Sequence, residues 1–443
     1  MHTIASLTGR EILDSRGRPT VEATCVLQSG ASGTCSVPSG ASTGSGEAIE
    51  LRDGDVRRYR GLGCRRAASH ISQEIGRSVA GSEFAHQSDF DRQLISLDGT
   101  PDKSRLGANA LLASSLAFAR AVATFRQVPL YRHFADLAGL PLRSLPQLTI
   151  NLFSGGKHAG GQVPIQDVLM VPTGASSIDE GLAMASSVYQ EAAGLILEKY
   201  GMRMLRADEG GLAPPFSNVE TMLSDSVAAI ERAGLVPGVD MSLAIDVAST
   251  HFYGQGRYRI AETPITALQM IDQLEEWVSR FPIVSIEDGL SEDDWAHWPM
   301  LRQRLGDRVL ILGDDLLCTN IHRIERAVRS NAATALLLKV NQIGTLSEAA
   351  ASLAAARSAG WKVTVSARSG ETEDNWLADL AVGWSGDQIK VGSITQSERL
   401  AKYNRLLAIE AETGLTVARL NPKTGSGALP ASDAAAKRLS DGK

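Results

Sequence analysis

The stretch Ala335-Leu336-Leu337-Leu338-Lys339-Val340-Asn341 decides how the chain is read. Four apolar residues lead to a lysine, and the run is too short for a buried helix, so it reads as a buried strand. A lysine at the end of such a strand can lay its stem on apolar surface and reach water with its ammonium. Alternatively it is desolvated, its pKa pushed down until it accepts a proton. Its company decides between these readings.

Similar runs surround it. Leu243–Asp246, Ile283–Asp288, Val309–Asp315, Val363–Ser369 and Gln388–Gly392 each carry aliphatic residues and a polar or charged residue at or near the end. The stretches between them are long enough for one helix each, and Ser347–Ala359 is alanine-rich and helical in pattern. Strand-helix units in series predict a parallel α/β sheet. Charged residues at the ends of successive strands predict a closed barrel with its site at that face.

The chain before about residue 139 has another texture. Thr20–Leu27 is the clearest strand, Pro38–Gly44 is a loop of small residues, and Arg66–Phe134 is helical with a turn near Asp98–Asp102. We therefore expect an α+β domain over 1–138, a barrel domain over 139–428 and a polar tail over 429–443. The 443 residues exceed one ordinary core. With 43% hydrophobic and 21% charged residues and a net charge of −6, the composition gives no basic footprint for nucleic acid or anionic membrane. Four scattered cysteines without a CxxC pair argue against a disulfide framework or zinc site and for a reducing, cytoplasmic setting. No signal peptide is expected at the N-terminus. The most apolar long segment, Ala108–Phe125, is broken by Asn109, Ser114, Ser115 and Arg120, and reads as a buried helix and not a membrane span.

Asp246, Glu287 and Asp314 each end a different apolar run. Any one could be a helix cap or half of an ion pair. Three at one barrel rim repel unless a cation sits among them, and hard oxygen ligands without histidine or cysteine favour Mg²⁺. Lys339, Arg368 and Lys390 add cations for an anionic substrate. The set reads as proton abstraction beside a carboxylate, with metal charge stabilising the resulting anion.

Ordered motifs along nearly the whole chain carry a resemblance to enolase. They include Glu11–Gly17, Pro38–Gly44, Leu51–Asp55, Asp208–Gly211, Ser285–Asp288, Gly313–Leu316, Lys339–Gly344, Arg368–Asp374 and Glu398–Asn404. The family pairs a lysine base with Mg²⁺. The resemblance implies an enolase-type (β/α) barrel behind a smaller N-terminal α+β domain, two Mg²⁺ ions per site, and a homodimer or larger assembly. It implies that Asp246, Glu287 and Asp314 bind the first ion and Ser42 the second. Lys339 would take the C2 proton of 2-phosphoglycerate, and Glu209 would protonate the departing hydroxyl, which requires a raised pKa. Arg368 and Ser369 would hold the phosphate and Lys390 the carboxylate, with His158, Gln166 and Asp167 lining the substrate pocket.

Several positions depart from the family pattern. Ala367 stands where enolases usually carry histidine, and Asp167 where they carry glutamate. Ala207 replaces glycine, Leu212 an aromatic, Ser154 asparagine and Gln396 arginine. Ala367 and Asp167 both shrink side chains near the expected substrate. The resemblance as a whole makes a glycolytic-type lyase converting 2-phosphoglycerate to phosphoenolpyruvate the leading expectation, while these two departures favour an alternative. The alternative is an enolase-like paralogue of phosphonate biosynthesis forming the bulkier carboxyphosphonoenolpyruvate. A non-catalytic binding protein on the same fold is a third reading, which an intact metal trio disfavours. A Schiff-base aldolase would have little use for three metal carboxylates.

Overall fold

The run Ala335–Leu338 is a strand with all four side chains buried. The computed structural model describes residues 1–41, 44–202, 204–260 and 263–419. The expected tail and the adjoining 420–428 lie outside the described residues.

The N-terminal part is a four-stranded antiparallel sheet in the order β3-β2-β1-β4. Its strands are β1 (His2–Leu13), β2 (Pro19–Leu27), β3 (Ser32–Ser36) and β4 (Glu83–Phe84). Along β2 the inward residues Val21, Ala23, Cys25 and Leu27 are buried, which is the period-two pattern of a sheet covered on one face. A helical run over 65–79 and the helix Ala108–Phe125 pack on the sheet, Gln87–Asp98 packs against Ala108–Phe125, and Leu130–Ala138 packs chiefly against Trp376–Gly383 of the larger part. The helix Ala108–Phe125 is long and apolar enough to cross a membrane, but 83% of it is buried inside the protein. Asn109 fits that interior because its side chain bonds both the amide and the carbonyl of Leu51.

The larger part is a closed barrel, β10-β11-β12-β13-β14-β5-β6-β7. Its strands are β5 (Gln147–Ser154), β6 (Asp167–Val171), β7 (Ser242–Asp246), β10 (Ile283–Glu287), β11 (Leu310–Gly313), β12 (Ala335–Leu338), β13 (Lys362–Ser366) and β14 (Gln388–Gly392). A two-residue ribbon, β8 (Tyr253–Gly254) with β9 (Arg257–Tyr258), lies outside it. Helices on the outer face connect the strands, Leu346–Ser358 among them, close to its expected bounds.

One expectation needs correction. The barrel is not wholly parallel: β6 runs antiparallel to both β5 and β7. The connection over 155–166 holds Gly155, Gly156, Gly160, Gly161 and Pro164, and Gly156, Gly160 and Gly161 take positive φ. That composition forms no crossover helix, so the chain turns back as a hairpin at the mouth. Asp167 consequently reaches the mouth from the start of its strand, while Asp246 and Glu287 reach it from the ends of theirs.

Candidate active site

Asp246 and Glu287 are the last residues of β7 and β10, and Asp314 follows β11 directly. All three are buried. Lys390, on β14, donates from Nζ to Asp246 Oδ2 and Glu287 Oε2, both at 2.8 Å. Lys339 Nζ lies 2.5 Å from Asp314 Oδ2, and Gln342 Nε2 donates to the other oxygen at 2.8 Å. The barrel thus gathers the expected trio with both expected lysines. Lys390, assigned by the resemblance to a substrate carboxylate, here bridges two carboxylates of the protein.

Crowding of like charges governs the electrostatics. Glu287 is pushed well above the usual carboxyl range, first by burial and then by Asp246 and Asp314. Burial also raises Asp246, but Lys390 outweighs it and holds that group at about 2. Burial alone would lower Lys339; Asp314 reverses this, so the ammonium is held charged. Desolvation, which the sequence reading offered as a route to a depressed lysine pKa, is outweighed here by the 2.5 Å ion pair with Asp314.

Among the described residues two groups offer ligand atoms close enough to hold a cation, His158 with Asp167 and Glu209, and Asp314 with Asp288 and Asp315; the trio Asp246, Glu287 and Asp314 is not itself such a group. Glu287 Oε1 is buried without a partner, as is Gln166 Oε1, whose Nε2 donates to Asp246 Oδ2 at 3.2 Å. In the group of Asp288, Asp314 and Asp315 one oxygen of each lies inside a 4.8 Å span. Asp288 spends its carboxylate on the backbone amides of Asp314 and Asp315, at 2.9 and 2.8 Å. It shapes the turn after β11. Ser42, expected at a second ion, lies outside the described residues.

Arg368 follows β13, and its guanidinium grips Glu47 from the N-terminal domain at 3.0 and 3.2 Å and Asn341 Oδ1 at 3.0 Å. Arg16, also from that domain, donates to Ser369 Oγ at 3.1 Å. The segment carrying both expected anion-binding residues is therefore held partly by the other domain, through the Ser39–Gly370 backbone bridge as well. Sequence reading missed Glu47 and Arg16. Arg16 lies inside a motif that was recognised; Glu47 carries no signal beyond its place three residues after Gly44.

Across the mouth, His158 Nδ1 lies 2.8 Å from Asp167 Oδ2, and its Nε2 lies 3.8 Å from Glu209 Oε1. Asn151 Nδ2 donates to Glu209 Oε2 at 3.0 Å. Burial raises Glu209, yet His158, Arg399 and Lys390 together leave it below the usual range, the opposite of the expected shift. Asp167, more deeply buried than it is compensated, is raised. Burial would lower His158, but Asp167 and Glu209 carry it to about 9.

The departures cluster near this wall. Ala367 is buried, its amide bonded to the Lys390 carbonyl at 2.8 Å. Leu212 pairs by a backbone bridge with Phe153, and the Ala207 amide bonds Gly211 O at 2.8 Å.

Two family models match. The one described as "Enolase, N-terminal domain" covers residues 4–134, and "Enolase, C-terminal TIM barrel domain" covers 142–423. The chain belongs to the enolase family. This enolase-family protein has the lyase scaffold of its superfamily, with acidic groups able to hold the Mg²⁺ that the family typically uses.

Proposed function

We propose that this enolase-family protein is an Mg²⁺-dependent lyase that dehydrates 2-phosphoglycerate to phosphoenolpyruvate. The observation that carries the reading is the opposition, across one barrel mouth, of Lys339 with its carboxylates and the His158–Asp167–Glu209 group. Elimination needs a base on one side of the substrate and a proton source on the other.

Arg368 and Ser369 orient the phosphate. Lys339 Nζ takes the C2 proton once the charge of Asp314 is neutralised, and the C–H electron pair is delocalised into the substrate carboxylate. The C2–C3 double bond then forms as the C3–O bond breaks. The hydroxide receives a proton from the Glu209 side and leaves as water. Bound Mg²⁺ would supply positive charge to the doubly charged carboxylate of the intermediate, held by Asp246, Glu287 and Asp314. The 155–166 loop would help exclude water. A homodimer or larger assembly in the cytoplasm, without nucleic-acid or membrane partners, accompanies this reading.

A second reading, formation of carboxyphosphonoenolpyruvate in phosphonate biosynthesis, is favoured by one observation. The Asp167 carboxylate is drawn back onto Ser154 and His158, and Ala367 adds only a methyl to the wall. An assay with Mg²⁺ and 2-phosphoglycerate, followed by enolpyruvate absorbance, separates the two. Turnover within the common range of ~1–10³ s⁻¹ supports dehydration. Turnover far below it, restored by Ala367→His with Asp167→Glu, supports the bulkier substrate.

A further inference from the structure

Ser154 closes β5 and Asp167 opens β6, and the antiparallel ladder pairs them directly. Ser154 Oγ donates to Asp167 Oδ1 at 2.5 Å, while Asp167 Oδ2 takes His158 Nδ1. Both oxygens of the carboxylate are spent, and Ser154 and Asp167 are wholly buried. The two side chains bond each other across the pair. A shorter carboxyl at the foot of the hairpin finds its partner on the opposite foot. The space for that hydroxyl exists because residue 211 is glycine: a Cβ there would run into Ser154 Oγ.

We propose that Ser154 is a positioning residue. By fixing Asp167 Oδ1 it keeps Oδ2 on His158 Nδ1, and thereby aims His158 Nε2 at Glu209. The group presented to Glu209 is then an imidazole N–H and not a second carboxylate. Asp167 accepts from Nδ1, so that nitrogen carries a proton. The Glu209 carboxylate facing Nε2 favours a proton there too. Around the ring stand Asp167 on β6, Glu209 on the loop before Leu212, Asp246 at the end of β7, His251 just beyond it and Lys157 alongside. The carboxylates prevail, and the ring stays an imidazolium at neutral pH. Such a ring can return a proton to Glu209, or to a leaving hydroxyl beside it, whereas a second carboxylate in that place would repel Glu209.

The catalytic consequence rests on the dehydration reading; the geometry does not. The test is therefore made first on the free, full-length protein by ¹⁵N-histidine NMR, with the His158 signal assigned by its loss in His158→Gln. Wild type should show both ring nitrogens protonated up to about pH 9. Ser154→Ala should lower that midpoint by roughly one unit or more, since freeing one oxygen loosens the carboxylate that holds Nδ1. In turnover of 2-phosphoglycerate the same variant should lose about tenfold or more in kcat with little change in KM. Its alkaline limb should move with the NMR midpoint, and Ser154→Asn with Asp167→Glu should recover the rate. An unchanged midpoint and tautomer in a folded Ser154→Ala protein would overturn the proposal whatever its activity. A shifted midpoint in a wild-type protein that does not turn over 2-phosphoglycerate would uphold the positioning and sink the dehydration reading alone.

Discussion

In the proposed dehydration Lys339 is the base. Lys339→Ala should abolish exchange of the C2 proton of 2-phosphoglycerate with solvent deuterium, lowering turnover by ~10²–10⁴-fold. Mg²⁺ binding measured by calorimetry should remain, because the acidic groups stay in place. Retained exchange would show that another group is the base. His158 makes a separate prediction about stability. Its folded pKa, about 9, lies above its ordinary value of 6.5. The folded state therefore holds the proton more tightly. Its contribution to stability is complete below pH 6.5 and disappears as pH rises through 9. Thermal melts from pH 6.5 to 9.5 should decline less steeply in His158→Gln than in wild type.

At the scale of elements, the helix Ser397–Thr413 acts as a clamp on the segment carrying Arg368 and Ser369. Arg399, fully buried, donates to the carbonyls of Arg368 and Ser369 at 2.7 Å each and of Val391 at 2.8 Å. Lys402, equally buried, bonds Glu371 at 2.9 Å. Arg399→Met leaves three carbonyls unpaired, each costing ~1–3 kcal/mol. A loss of ~3 kcal/mol or more in urea unfolding is expected, with weakened retention of inorganic phosphate. The helix Leu130–Ala138 supplies an acid-side counterpart to His158. Burial and Arg126 hold His133 down at about 4. Its contribution is present above pH 6.5 and is lost as pH falls through 4, so the melting temperature of His133→Gln should fall less between pH 7 and 4 than that of wild type.

Legibility from sequence divided along the same elements. The strands β7 and β10 to β14 were readable because each is an aliphatic run ending beside a charge, and so the trio and both lysines were found. β5 and β6 were not. Gln147–Ser154 is buried on every residue and shows no alternation, and its return through a glycine-rich hairpin breaks the strand-helix rhythm. Ser154 was seen only as a departure from a pattern, because the bond to Asp167 depends on a register that no local signal announces. The shifts at Lys339 and Glu209 run against the expected directions for a related reason. Their partners Asp314 and His158 come from other segments, at distances no spacing encodes.

The whole molecule should unfold as one unit. A single cluster of buried apolar residues runs from Ile4 and Val37 in the N-terminal sheet through Leu336 and Trp376 in the barrel. Polar links cross the same seam, among them Arg120–Asp374 at 2.6 Å and Trp376 Nε1 to Ser36 O at 3.0 Å. One calorimetric transition is expected; two separable ones would contradict a shared core. Mg²⁺ should raise that transition, by ~2.7 kcal/mol at a hundredfold excess over its dissociation constant. Glu287→Gln should reduce the effect.

The barrel closes where β14 lies against β5, with Gln388 beside Gln147. These partners are separated by about 240 residues of chain, a loop whose closure is slow as well as late. On a ribosome adding ~5–20 residues per second, β5 waits roughly 12–50 s for its neighbour to be made. Throughout that interval an aliphatic strand stands with one edge bare. A nascent chain of this topology needs protection during synthesis, and a premature stop just before β14 should leave an insoluble product even though seven of the eight barrel strands are complete.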